Sequence, residues 1–207
     1  MTETATGIAF TEVRAQLRPL IVSVILLTLL TGGLFPLALF ALARPLFADQ
    51  AGGGLVRRGG VVVGSRLIGQ AFARPDYFQP RPSAAGNGYD ATASGGTNLG
   101  PANPKLADSV RNLAEDYRRS NGLAPDAPIP IDAVTSSGSG LDPDISPQNA
   151  ALQVARVARA RGLGEDAVRR LVVAGTEGRQ LGFLGEPRVS VLDLNLALDR
   201  ATPPKPH

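Results

Sequence analysis

Asp142 and Asp144 stand two residues apart behind a hydroxyl-rich run, Ser136-Ser137-Gly138-Ser139-Gly140-Leu141. Two carboxylates at that spacing could act as an acid pair or as cation ligands. The same residues also read as a turn: Asp opens turns ahead of Pro143, and Ser146 suits a helix cap. A second stretch, Ser94-Gly95-Gly96-Thr97-Asn98-Leu99-Gly100, could present backbone N–H groups to an anion, although glycines more often serve tight turns. Arg81 could grip a carboxylate through two nitrogens, or sit in solvent. Beyond these the sequence lacks a phosphate-binding G-x-x-x-x-G-K-[ST] loop, a nucleophile elbow, an H-E-x-x-H pair, an EF-hand and the penicillin-binding motif set. The only histidine is His207, at the last position, so histidine-based acid–base or metal chemistry is excluded.

The totals narrow the classes further. With no cysteine there are no disulfides, zinc–thiolate sites or acylated cysteines. Net charge is +3 from 21 basic and 18 acidic residues, too mild and too mixed for a nucleic-acid partner.

The elements that would position these residues hang from Leu20–Ala43, an uncharged stretch bracketed by Arg18 and Arg44. As a helix it spans about 36 Å, enough for a ~30 Å hydrocarbon core. Gly32, Gly33 and Pro36 within it predict a kink, or a place where another helix comes close. Ala41-Leu42-Ala43 resembles a signal-cleavage site, but the apolar run is longer than the usual ~7–15 residues of a signal core, which favours a retained span. Basic residues on the two flanks nearly balance, so local charge does not orient it. The boundaries are a short tail at 1–18, a membrane helix at 19–43 and one domain at 44–207.

Gly52-Gly53-Gly54 forms a joint, and Leu55-Val56 and Val61–Val63 flank a Gly turn as two short strands. Residues 67–72 are apolar, strand or short helix. Residues 74–104 are rich in Gly and Pro yet carry Tyr77, Phe78, Tyr89 and Leu99, which predicts an ordered loop pinned by its rings. Helices are predicted at 104–120, capped by Asn103 with Pro104 in the first turn, from Ser146-Pro147 to Gly162 with Ala151, Val154, Val157 and Ala158 inward, and at 165–174. Ile129-Pro130-Ile131 suggests an edge strand. Ser190-Val191-Leu192-Asp193 has the form of a capping box opening a helix at 191–200, although Leu192, Leu194, Leu196 and Leu198 also alternate as a strand would.

Several ordered motifs carry a resemblance. Tyr77–Ala84, Ser94–Pro101 with Asn103-Pro104, Val134–Pro147, Gly178–Val189 and Leu194–Asp199, behind a single N-terminal span, make the chain similar to the KdpC subunit of the Kdp-type potassium-transporting ATPase. It departs from that pattern in small ways, at Thr97, Ser136 and Ser190 and in the Gly-rich joint. The resemblance implies a four-subunit bacterial inner-membrane pump for high-affinity potassium uptake. A channel-like subunit holds the ion path and a P-type subunit hydrolyses ATP. The KdpC subunit is then a non-catalytic accessory that steadies the assembly, anchored by one span with its domain outside the cytoplasm, and credited in the family with raising the pump's ATP affinity. From outside, that effect has to act through a conformational equilibrium of the partners.

The fold expected is α+β: a transmembrane helix, then a soluble domain with a small sheet and three or four helices. No catalytic, cofactor or metal residue is expected in this chain, since ATP and potassium belong to the partner subunits. Candidate partner contacts are Tyr77, Phe78, Arg81, Ser94, Asn98, Asp142 and Asp144. The rival readings are an anchored enzyme using Asp142 and Asp144, and a nucleotide-binding chaperone using the 94–100 loop.

Overall fold

The computed structural model describes residues 3–202, with side chains from residue 14 onward; His207 lies outside them. The chain divides into two compact units, Met1–Gly52 and Gly53–His207.

The first unit is helical: α1 (Glu3–Leu29), a π-helical turn (Leu30–Leu34), α2 (Phe35–Leu46) and α3 (Ala48–Ala51). Its Arg14–Leu46 part is long and apolar enough to cross a membrane, and none of its most apolar stretch is buried within the chain. The π turn has a covalent cause. Pro36 has no N–H to offer the preceding turn, so the register slips just ahead of it and the Phe35 N–H donates to the Leu30 carbonyl. Gly32 and Gly33 lie in this turn with open space where side chains would be. Thr31 Oγ1 donates to the Leu27 carbonyl at 2.7 Å. The helical unit thus runs past Ala43 and leaves Gly53 to open the second unit.

That second unit is mixed helix and sheet. β1 (Leu55–Arg58) and β2 (Val61–Ser65) form an antiparallel hairpin around Gly59-Gly60, with a bulge at Val56/Arg57. Residues 67–72 form neither strand nor helix. α4 (Pro104–Asn121) begins where Asn103 accepts from the Lys105 N–H and ends at the left-handed Gly122; its predicted inner face, Leu106, Val110, Leu113 and Tyr117, is half-buried. α5 (Pro147–Arg161) is capped by the Ser146 hydroxyl and closed by Gly162. α6 (Glu165–Ala174) carries acids in its first turn, as the helix dipole favours. α7 (Val191–Ala201) starts at Ser190, whose hydroxyl accepts from the Asp193 N–H, so the cap and not the leucine alternation decides that segment.

A second sheet, in the order β3 (Asp144–Ile145), β5 (Arg188–Ser190), β4 (Thr176–Glu177), is antiparallel throughout. Two expectations are corrected. Ile129–Ile131 is not a strand: Ile131–Ala133 forms a single 3₁₀ turn, which aims the Asp132 carboxylate at the Ser146 N–H and hydroxyl and the Asn149 amide. Ala151 is exposed, and the buried face of α5 is Ala150, Gln153, Val154, Val157, Ala158 and Arg161. The core gathers Phe78, Ile145, Val154, Val157, Val168, Val172, Val189, Val191, Leu194 and Leu198 from α5, α6, α7 and the second sheet.

Candidate functional site

Residues 74–85 have no regular structure, yet side chains hold their backbone as a neighbouring strand would. Arg156 on α5 donates to the carbonyls of Pro75 and Tyr77, and Arg161 Nε donates to that of Asp76 at 2.8 Å. The Asn195 amide accepts from the Phe78 N–H at 2.8 Å and donates to its carbonyl at 2.9 Å. Gln153 treats Gln79 the same way, at 2.7 and 3.0 Å. A buried backbone cannot leave such groups unpaired, and here amide and guanidinium side chains supply every partner named. Phe78 is consequently a core residue at 0% exposure, not a surface contact. Asn149, Gln153 and Arg156, at spacings of four and three on α5, carry the sequence signal that could have revealed this network.

Tyr77 lies among cations. Its ring centroid is 4.7 Å from the Arg161 guanidinium and 5.5 Å from that of Arg74, and its hydroxyl donates to Asp199 at 3.2 Å. Burial and the Asp199 charge push its pKa up. Arg74 grips Asp76 with two nitrogens at 2.8 and 2.6 Å and holds its carboxyl below the usual carboxylate range.

The glycine-rich stretches meet each other. Ser83 Oγ donates to the Gly140 carbonyl at 2.6 Å, and the Gly95 N–H and Ser94 Oγ donate to the Ser139 carbonyl at 2.9 and 3.0 Å. Gly140 has φ +67°, and a Cβ there would stand 2.6 Å from both Ala85 N and Gly95 O; one on Gly96 would stand 3.1 Å from Gly138 O. These glycines let two backbones touch, and the Gly95 donor is spent on that contact instead of pointing at a ligand. Asn98 is exposed with φ 53°.

The two aspartates have their own partners. Asp142 accepts from Arg81 Nη1 at 2.8 Å and from the Asp144 N–H at 3.1 Å, the second bond closing a turn over Pro143. Arg81 uses one nitrogen here and not two; its Nε is buried without a partner. Asp144 pairs with Arg188 Nε at 3.1 Å, and Arg188 also reaches Glu177 at 2.7 Å. Burial pushes the Asp144 pKa up, with Arg188 working against it. The structure therefore brings Arg81, Ser94, Asp142 and Asp144 into one interlocked pair of loops, with Tyr77 and Phe78 at its root. Tyr89 closes the upper end by donating to the Arg81 carbonyl, and burial raises its pKa to about 12. Among the described residues, no group of three or more His, Asp or Glu stands where it could hold a metal ion.

Residues 17–200 match the family described as K+-transporting ATPase, c chain. The chain belongs to the KdpC family. A KdpC subunit from Koribacter versatilis is 54% identical over 176 residues, covering 85% of this chain and 90% of the relative. One from Beijerinckia indica is 54% identical over 188 residues, 91% of this chain and 95% of the relative. One from Mycobacterium tuberculosis is 52% identical over 187 residues, 90% and 99%. Each is named as a potassium-transporting ATPase KdpC subunit. Membership of this family, with one apolar N-terminal helix, makes the chain a membrane-anchored subunit of a potassium-transporting ATPase complex.

Proposed function

We propose that the chain is an accessory subunit that works by contact: it steadies the ion-conducting and ATP-hydrolysing subunits of the pump from the extracytoplasmic side, and any rise in ATP affinity is indirect. The observation that carries this reading is the use made of the polar groups of the 74–104 and 132–146 loops. Arg81, Ser83, Ser94, Gly95, Asp142 and Asp144 are bonded to one another or to the scaffold. That makes two loops rigid, and rigid loops are where binding surfaces are usually carried. An acid pair would need carboxylates facing a substrate; each aspartate here faces an arginine.

The test is protease digestion of intact spheroplasts together with co-purification of the partners from the same cells. Digestion of the 53–202 domain from outside, with the partners retained by the undigested chain, is the expected result. A protected domain would overturn the orientation, and partners absent from the purified chain would overturn the assembly role.

A further inference from the structure

Gly178–Pro187 lies outside both interlocked loops and takes no part in their bonding. It joins β4 to β5 and stands clear of its own domain: every residue from Glu177 to Pro187 is exposed. At its end Leu181, Phe183 and Leu184 are 83, 68 and 47% exposed, an apolar patch on the order of 400 Å², the upper end of what monomeric proteins show.

The projection is built, not frayed. Gln180 and Leu184 exchange two backbone hydrogen bonds of 2.9 Å, and Gly182 N and Phe183 N donate to the carbonyls of Arg179 and Gln180. Arg179 Nη2 bridges both oxygens of Glu186 at 2.8 and 2.7 Å beneath the turn. Leu181 itself takes φ 53°, the left-handed region, so the chain accepts backbone strain at the residue it exposes most. Strain held at an outward apolar side chain is what a binding ridge requires.

Charge chooses among occupants. Loops that seat in lipid carry unpaired Lys or Arg for the headgroups. Here Arg179 is matched by Glu186, and Arg188 by Glu177 and Asp144, which leaves the rim neutral and the end aliphatic and aromatic. We infer that the 178–187 hairpin is a docking ridge whose Leu181, Phe183 and Leu184 enter an uncharged apolar pocket on a partner subunit of the same ATPase. This rests on the accessory-subunit reading and adds the place of contact.

The chain has no cysteine, so Gln180→Cys gives one thiol beside the patch and leaves the three apolar residues intact. Its reaction with a polar maleimide is measured in vesicles open to reagent on both faces, for the full chain alone and for the assembled complex. Asp126→Cys, in the connection after α4, serves as the reference. The expected result is labelling at least about tenfold slower for the thiol at position 180 in the complex only, together with a loss of about tenfold in partner retention for Leu181→Ser/Phe183→Ser. Equal labelling in a complex that still co-purifies overturns the ridge and leaves the accessory role standing. Protection of the chain alone assigns the hairpin to lipid and overturns the inference. A wild-type chain that retains no partner removes both.

Discussion

Gly140→Ala tests whether the two motif loops are locked backbone to backbone. An alanine there meets two costs. The left-handed φ of +67° costs an L-residue roughly 1–2 kcal/mol. Its Cβ would also stand 2.6 Å from Ala85 N and Gly95 O, main-chain atoms that cannot rotate away, and overpacking of this kind costs about 1–3 kcal/mol. Gly162 separates the two terms, because it has φ +70° and a Cβ added there would meet nothing within 4 Å. Gly162→Ala should therefore cost only the first, about 1–2 kcal/mol, and Gly140→Ala roughly 2–5 kcal/mol. For a domain of this size each kcal/mol moves Tm by about 2–4 °C. Thermal unfolding of the full chain in detergent, followed by circular dichroism and corrected for the membrane helix, should show Gly140→Ala falling well below Gly162→Ala. Equal falls for the two variants would refute the interlock and reopen the glycine run as a ligand cradle.

Arg161→Met should destabilise the domain by roughly 3–5 kcal/mol, because the side chain, 1% exposed, leaves Asp199 and the Asp76 carbonyl buried without their donor; chemical denaturation checks this. The pH dependence follows from Asp76. Its folded pKa lies below the unfolded ~3.9, so its contribution is full above that value and is lost as pH falls through the folded one. Asp76→Asn should thus lower stability at neutral pH and flatten the acid limb of a pH–Tm curve. Asp144, with its pKa raised, acts with the opposite sign: proton uptake favours the folded state as pH falls through its folded value.

The helices were legible because each end is written in local chemistry. Asn103-Pro104, Ser146-Pro147 and Ser190 with Asp193 open them, and Gly122 and Gly162 close two. The second sheet was not legible: strands of two, three and two residues are too short to show a period. The inward polar residues of α5 hid for another reason. Periodicity looks for apolar faces, while Asn149, Gln153 and Arg156 are buried because an irregular segment, 74–79, needs its backbone bonded. Within the candidate site, the aspartate turn and the Gly-rich runs were visible as residues. Their meeting was not, since Gly95 and Ser139 are far apart in the chain and only the fold joins them.

Restoration of pump activity by a chain stripped of its acid pair tests the contact-only account most directly. In membranes lacking this subunit, full-length Asp142→Asn/Asp144→Asn should restore potassium-stimulated ATP hydrolysis to the wild-type level, because both carboxylates serve only to hold Arg81 and Arg188. A folded, co-purifying double variant that restores none would show that the carboxylates do chemistry.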